Sequence, residues 1–161
     1  MTQSNHTTNE KSVNTLAFLN TLYPTAPENL WLEVRCIHPK TGAVRALWAK
    51  MDDEKQRQSI LNTADRHNKE GFGVYFAPCL RSAKKGNADS ASLLSAFWID
   101  IDGPEDQRER DLEKLRAFNP APSIIANSGG GWHGYWLLDE PLVLDENNKQ
   151  KISRIMPGLF S

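Results

Sequence analysis

Apolar and polar residues follow two different periods along this chain, and the first of them is helical. Residues 1–11 are polar and are expected to form a flexible tail. Beyond them, apolar residues recur at the spacing of one helix face, at Val13, Leu16, Ala17 and Leu19. Ser12 is a favoured N-cap residue, and Pro24 cannot continue a helix. A short helix is therefore predicted to follow the tail.

Short runs rich in branched and aromatic residues predict strands elsewhere. These runs are residues 30–37, 43–48, 72–77, 93–102, 123–127 and 133–138. The first two are joined by a Pro-Lys-Thr-Gly turn and the last two by a glycine run, so each pair is predicted to form a hairpin.

Three further segments carry helix-forming residues, namely residues 52–70, 106–118 and 145–155. The first of them stops at Gly71, a residue favoured just beyond a helix end, and Pro120 follows the second. The order of elements predicts an α+β fold, with a mostly antiparallel sheet and flanking helices. With 161 residues the chain has room for one domain of ordinary size, expected over residues 12–161.

The overall composition narrows the class of protein without naming a function. Hydrophobic residues make up 39% and charged residues 24%, as in ordinary globular proteins. The formal net charge of −1 gives no general attraction to nucleic acid, so any polyanion must be held by a local patch. Cys36 and Cys79 lie in apolar runs and are predicted to be buried thiols. No segment has the length of a membrane span or the pattern of a signal peptide, and a cytoplasmic protein is expected.

Two aspartates end the strongest predicted strand. Residues two apart in a strand point to the same face, so Asp100 and Asp102 project together. Carboxylates held that close repel unless a cation or a proton lies between them, and hard oxygen ligands suit Mg²⁺ or Mn²⁺. The alternative is a solvated strand end that enters an Asp-Gly-Pro turn. The apolar run before the pair favours the metal site, because a buried central strand would place its acidic end at the mouth of a sheet.

A serine, three glycines, a tryptophan and a histidine follow one another at residues 128–133. Gly129, Gly130 and Gly131 are predicted to build a backbone nest for an anion, with phosphate as the ligand. Strand alternation places His133 on the same side as Tyr135, where it would contact whatever the glycines hold. A flexible hairpin tip and a structural histidine are the alternatives.

Other common nucleotide and hydrolase motifs do not fit. Ser128 is preceded by asparagine and is no nucleophile elbow, and no Gly-Lys-Ser/Thr completes a P-loop. Residues 80–89 are predicted to form a polar loop that contains the cations Arg81, Lys84 and Lys85, where an anion could bind. A solvated surface is the alternative for these cations.

Taken in order, these motifs resemble the archaeo-eukaryotic primase superfamily, and within it the primase-polymerase domains of phage and plasmid replication proteins. The matching segments are residues 73–77, 80–81, 97–103, 122–125 and 128–138. The resemblance covers roughly residues 12–140. It implies an RRM-like catalytic core that carries out metal-dependent nucleotidyl transfer, either to a primer 3′-hydroxyl or in de novo primer synthesis on single-stranded DNA.

The resemblance also implies a role for each matched residue. Asp100 and Asp102 would bind Mg²⁺ or Mn²⁺, and His133 would contact the phosphates of the incoming nucleotide. Ser128 and the three glycines would complete the nucleotide site, and Arg81, Lys84 and Lys85 could hold triphosphate or template backbone. The implied partners are nucleoside triphosphates, a single-stranded DNA template, and a helicase domain or protein.

The chain departs from the family pattern in one respect. The resemblance implies a third acidic residue on a later strand, and the chain stops at Ser161. We therefore expect the domain to be incomplete at its C-terminus, as a fragment or a natural truncation, unless Asp89 or Asp139 supplies the third acid.

Two other functions stay open at this point. One is a catalytically incomplete module that binds nucleotide or single-stranded DNA for a replication initiator. The other is a glycosyltransferase that uses Asp-x-Asp for a nucleotide-sugar, which the glycine-histidine element disfavours. The charges of the helix at 106–118 largely cancel and predict a solvated face. Trp31, Trp48 and Trp98 are predicted core residues, whereas Trp132 lies beside the glycines, where it could stack on a base.

Overall fold

The computed structural model describes residues 15–76 and 78–155. Its strands form a seven-stranded antiparallel sheet accompanied by helices, so the predicted α+β class is confirmed. The chain divides into two compact units, one extending up to Leu93 and resuming at Val143, the other comprising Leu94–Leu142. The predicted tail and the start of the first helix lie outside the described residues.

The first unit contains six elements that the sequence predicts and one short strand that it does not. Its elements are α1 (residues 15–22), β1 (Trp31–Ile37), β2 (Val44–Lys50), α2 (Glu54–Lys69), β3 (Gly73–Phe76), β4 (Cys79–Arg81) and, from the end of the chain, α4 (Glu146–Ile155). The strands are ordered β2-β1-β4, with β3 also paired to β1. The predicted hairpin of β1 and β2 is confirmed, in a register that pairs Trp31 with Lys50 and Ile37 with Val44.

The alternation of β1 explains which face of this unit is its core. Leu32, Val34 and Cys36 are between 0% and 3% exposed, while the residues between them are polar or aromatic. Helix α2 begins after Asp53, whose side chain accepts a hydrogen bond from the Gln56 N–H, and it is followed by Gly71 at φ +93°. Gly71 is the end that the sequence predicts, and Asp53 is a favoured type of N-cap residue.

Strand β4 corrects the prediction of a polar loop over residues 80–89. All three of its residues, Cys79, Leu80 and Arg81, are buried, and Arg81 pairs with Trp31 of β1. A three-residue strand is too short to show a period in sequence, so the polar loop begins only after it. Both cysteines are buried and free, as predicted, and burial raises the pKa of the Cys36 and Cys79 thiols.

The second unit carries the acidic strand and the glycine run. Its elements are β5 (Ala91–Asp102), which begins in the first unit, a short 3-10 turn (Glu105–Gln107), α3 (Arg108–Arg116), β6 (Ile124–Asn127) and β7 (Gly131–Val143). The strands are ordered β5-β7-β6. Leu94, Ala96, Leu115 and Tyr135 form its buried core. Leu115 packs on β7 where Gly134 leaves room, since a methyl group there would lie 2.8 Å from the Leu115 side chain.

Strand β7 is longer than the sequence predicts. It begins at Gly131 rather than at His133, because Asn127 of β6 already pairs with Trp132. Only Gly129 and Gly130 therefore remain in the turn of this hairpin. Within the described part of the chain, no helix is both long and apolar enough to cross a membrane.

Candidate active site

The acidic pair lies at the end of β5, where the strand leaves its buried part. Leu94 and Ala96 earlier in the strand are fully buried. Asp100 and Asp102 are exposed, and the side chain of Asp100 is 50% exposed. The strand assignment extends through both residues, so the two carboxylates share a face as predicted.

His133 of β7 links Asp100 to a buried tyrosine. Its Nε2 lies 3.1 Å from Oδ1 of Asp100, and its Nδ1 lies 3.2 Å from the hydroxyl of Tyr135. Tyr135 is 3% exposed. Burial, assisted by the negative charge of Asp100, raises the pKa of Tyr135 to about 12. The phenol therefore stays protonated at neutral pH.

This chain of contacts favours one tautomer of His133. A protonated Tyr135 hydroxyl can donate to Nδ1, which then leaves the imidazole proton on Nε2, facing Asp100. The hydrogen bond from Tyr135 fixes the ring, and the hydrogen bond to Asp100 orients the carboxylate. Strand alternation predicted that His133 and Tyr135 share a side, but no pattern in the sequence assigned Tyr135 a role.

The glycine turn is more tightly organised than a run of flexible N–H donors. Ser128 N–H donates to the Gly131 carbonyl at 3.0 Å, and Gly131 N–H donates to the Ser128 hydroxyl at 2.9 Å. Gly129 N–H donates to the Asn127 side chain at 2.8 Å. These three N–H groups thus hold the hairpin closed, which corrects the picture of a nest built from all three glycines.

Each glycine of the run meets a different requirement. Gly129 has φ +89°, a conformation that side chains rarely adopt. A methyl group on Gly130 would lie 3.3 Å from Oδ1 of Asp102, and one on Gly131 would lie 1.9 Å from the carbonyl oxygen of Ile101. The backbone of the turn therefore lies directly against the acidic end of β5, beside the carboxylate of Asp102.

Arg108 is a residue of this site that the sequence analysis missed. Its Nη2 donates to the Gly129 carbonyl at 2.8 Å, and its own carbonyl accepts a hydrogen bond from the Trp132 indole at 2.9 Å. This corrects the prediction of a wholly solvated face on α3, because the first residue of the helix holds the glycine turn. The acidic residues around Arg108 made its charge look balanced in the sequence, so no role in the site was assigned to it. The sequence does show that the Trp132 indole N–H needs a hydrogen-bond acceptor, which turns out to be the Arg108 carbonyl. With its indole so engaged, Trp132 is a half-buried part of the turn.

The three predicted basic residues belong to the first unit. Arg81 is 3% exposed, its Nε lies 3.3 Å from the carboxylate of Glu33, and its Nη1 donates to the Asn87 carbonyl at 2.7 Å. Lys84 and Lys85 are exposed in the loop after β4. The structure thus gives Arg81 a buried ion-pair partner, while the two lysines face solvent.

Neither candidate for a third acid joins the aspartate pair in a cluster of ligands. Asp89 lies in a 3-10 turn of the first unit and Asp139 lies on β7, and both are exposed. Among residues 15–76 and 78–155, no group of three or more His, Cys, Asp or Glu side chains is arranged to hold a metal ion. The site contains two carboxylates on one strand, with His133 and the glycine turn beside them.

Comparison with known proteins gives a structural match. No protein-family model matches the chain, and no curated protein matches it in sequence. A solved structure of the primase-polymerase AEP domain of cyanophage S-2L is similar, with a TM-score of 0.54 and 15% identity over 89% of this chain and 72% of that one. At this identity the likeness establishes the fold alone. The chain therefore has the fold of a primase-polymerase AEP domain, as the sequence resemblance implied.

Proposed function

We propose that this chain is a nucleotidyl-transfer domain of the primase-polymerase type, acting on nucleoside triphosphates and a single-stranded DNA template. The observation that carries the proposal is the meeting of Asp100 on β5 with His133 on β7, 3.1 Å apart, at a strand end that also bears Asp102. A metal ligand and a phosphate ligand lie side by side in this arrangement. The likeness in fold to a phage primase-polymerase supports the same reading.

The acidic pair suits a divalent cation. Asp100 and Asp102 offer hard carboxylate oxygens at an exposed strand end, and Mg²⁺ or Mn²⁺ takes such ligands together with water and substrate phosphates. When bound, the ion would neutralise charge on the triphosphate and on the leaving pyrophosphate. The carboxylates of Asp100 and Asp102 hold the ion, and His133 keeps Asp100 oriented before it binds.

The nucleotide side of the site is formed by His133, Arg108 and the glycine turn. The imidazole of His133 is a donor suited to phosphate oxygens, and the guanidinium of Arg108 holds the Gly129 carbonyl of the turn. The absence of side chains at Gly129 and Gly130 lets a ligand approach the backbone beside Asp102. Ser128 closes the turn through its hydroxyl and so keeps this backbone in place. In this proposal Arg108 and Ser128 are positioning residues for the turn, while His133 contacts the triphosphate.

The basic residues of the first unit divide into two kinds. The charge of Arg81 is neutralised by Glu33, and its side chain supports the loop after β4 by donating to the Asn87 carbonyl. Lys84 and Lys85 are exposed and can attract phosphate groups of a nucleotide or a template strand. A helicase domain or protein as a further partner stays a prediction.

A second candidate function is favoured by one observation. In the described chain, the acidic pair is not joined by a third ligating acid. A domain with this composition can bind nucleotide and single-stranded DNA for a larger replication initiator while extending primers slowly, because lost positioning of metal ions is costly in phosphoryl transfer.

The proposal is tested by nucleotide binding and primer extension on the same samples. Titration calorimetry would follow Mn²⁺ and then a nucleoside triphosphate, and extension of a labelled primer would follow incorporation. The double variant Asp100→Asn/Asp102→Asn is expected to lose metal-dependent triphosphate binding and all incorporation. The control is Glu113→Gln, which removes an exposed carboxylate from α3 of the same unit and should behave as wild type.

The outcomes separate the two candidates. Incorporation that depends on Asp100 and Asp102 establishes the transfer function. Metal-dependent triphosphate binding without incorporation identifies the binding module. Equal triphosphate binding by the wild type and the double variant would overturn the proposed site altogether.

A further inference from the structure

One face of the sheet in the first unit is neither core nor ordinary surface. Residues directly opposite each other in an antiparallel ladder point to the same face. Trp31 faces Lys50 and Arg81, Glu33 faces Trp48, and Arg35 faces Tyr75. Three aromatic rings and two cations therefore share this surface, here called the aromatic-basic face: Trp31, Trp48, Tyr75, Arg35 and Lys50. The ion pair of Glu33 and Arg81 lies on the same side of the sheet and is buried. The residues between them, such as Leu32 and Val34, point to the buried core.

Two lysine ammonium groups lie close to the indole ring of Trp31 on this face. The Nζ atom of Lys84 lies 4.3 Å from the centre of the indole ring, and that of Lys50 lies 5.7 Å from it. The indole is half-buried and Lys84 is exposed. Two ammonium groups at one partly exposed indole form a local cationic patch in a chain whose net charge is −1. Trp31 is not the core residue that its sequence context predicts, because its ring is only half-buried and lies near two lysines.

The loop that carries Lys84 is held in place by buried charges. Glu33, which is 8% exposed, binds Nε of Arg35 at 2.8 Å and Nε of Arg81 at 3.3 Å. The same two arginines donate to loop carbonyls, Arg35 to Gly86 at 2.7 Å and Arg81 to Asn87 at 2.7 Å. The position of Lys84 is thus set by the fold, since two side chains of the sheet clamp the loop backbone.

We propose that the aromatic-basic face binds single-stranded DNA, with a base stacked on Trp31 and the adjacent phosphates contacted by Lys50 and Lys84. This inference rests on the proposed function, which supplies the partner, and names where its template strand is held. An aromatic ring with flanking cations is the arrangement by which proteins hold single strands, because every base has a stacking face and every nucleotide a phosphate. A flexible lysine can leave the ring for a phosphate when a base arrives, which exchanges a weak exposed cation–π contact for stacking.

The test is fluorescence anisotropy of a labelled oligothymidylate with the full chain, measured over a range of salt concentrations. Trp31→Leu should weaken binding about tenfold or more, whereas Trp31→Phe should retain most of it, because phenylalanine preserves a stacking surface. Lys50→Gln and Lys84→Gln should each lower the slope of log affinity against log salt by about 0.7. Lys40→Gln is the matched control, an exposed lysine in the turn between β1 and β2 that should leave the slope unchanged.

The outcomes distinguish this inference from the proposed function. Wild-type affinity in Trp31→Leu, together with wild-type salt slopes in both lysine variants, would overturn the inference even if triphosphate binding still depends on Asp100 and Asp102. Conversely, if oligothymidylate binding depends on Trp31 and Lys84 but triphosphate binding ignores the aspartates, the face is established and the proposed active site fails. Lys84→Gln, in an exposed loop position, provides the answer if Trp31→Leu fails to fold.

Discussion

Glu33 in the first unit and Asp100 in the second unit are both carboxylates with side-chain partners, but their surroundings differ. Glu33 is 8% exposed and has two arginine partners, Arg35 and Arg81. The side chain of Asp100 is 50% exposed, and its carboxylate contacts Nε2 of His133. A buried charge is tolerated only where partners compensate for lost hydration, whereas an exposed one is stabilised by water and can exchange partners.

The difference in burial indicates a structural role for Glu33 and a functional role for Asp100. Glu33 holds two guanidinium groups that in turn bind the loop carbonyls of Gly86 and Asn87, so its charge organises the protein. Asp100 lies exposed at a strand end with Asp102, where the proposed function requires it to bind a cation. Replacing the first carboxylate should therefore cost stability, and replacing the second should cost activity.

The largest expected effect is the loss of activity in Asp100→Asn/Asp102→Asn. Nucleotidyl transfer should fall at least about a hundredfold, because positioning of the reacting groups depends on the bound cation. The free energy of unfolding should change by less than about 1 kcal/mol, because both side chains are exposed and surface substitutions usually change stability little. Primer extension and urea denaturation of the same protein measure both quantities. A large loss of stability would contradict the comparison.

The converse expectation applies to Glu33→Gln. Removing one partner of a buried ion network leaves Arg81 uncompensated, and such changes cost about 3–5 kcal/mol of unfolding free energy. Urea denaturation would measure the loss, with Glu28→Gln as a control at an exposed position. Unchanged stability in Glu33→Gln would mean that water replaces the carboxylate at the two arginines.

The glycine turn offers a smaller effect that sharpens the description of the active site. Gly131→Ala would place a methyl group 1.9 Å from the Ile101 carbonyl oxygen, so β7 must shift from β5 at a cost of about 1–3 kcal/mol. Gly129→Ala meets no atom within 4 Å and is disfavoured only by its φ of +89°. The two variants measured side by side by thermal unfolding should rank in that order. Equal losses would show that the turn itself, rather than its contact with the acidic strand, determines the stability of the hairpin.

Much of the fold was predictable because most helices and strands are long enough to show a recognisable pattern of apolar residues or of terminal residues in the sequence. The hairpin of β1 and β2 has seven residues in each strand, rich in apolar and branched side chains, and α2 carries both its N-cap and its terminal glycine. Strand β4 has three residues and no visible period, so its burial depends on neighbours that the sequence does not identify. For the same reason Arg81 looked like a loop cation and is a buried ion-pair member.

At the candidate site, the sequence predicted which side chains share a strand face better than it predicted their contacts. Spacing alone placed Asp100 with Asp102, and His133 with Tyr135, because both pairs are two residues apart in strands. The contact of His133 with Asp100, and the clash that forbids a side chain at Gly131, depend on which strands pair and in what register. Arg108 is harder still, since five acidic residues lie within five positions of it and mask its single contact with the turn.

The smallest effect concerns Tyr135 and is expressed only in alkali. Burial, with a contribution from Asp100, raises the pKa of this phenol from 10.0 to about 12, so the folded protein keeps the proton after the unfolded chain has lost it. The resulting stabilisation is complete below pH 10 and is lost as pH rises from 10 towards 12. Tyr135→Phe should remove this part of the alkaline loss of stability, and the difference in tyrosinate absorbance between the two proteins reports the titration of Tyr135 itself. In Asp100→Asn the pKa of Tyr135 should fall only part of the way to its ordinary value, because burial is the larger cause. A return of the Tyr135 pKa all the way to its ordinary value would contradict this expectation. It would mean that the Asp100 carboxylate, rather than burial, keeps Tyr135 protonated.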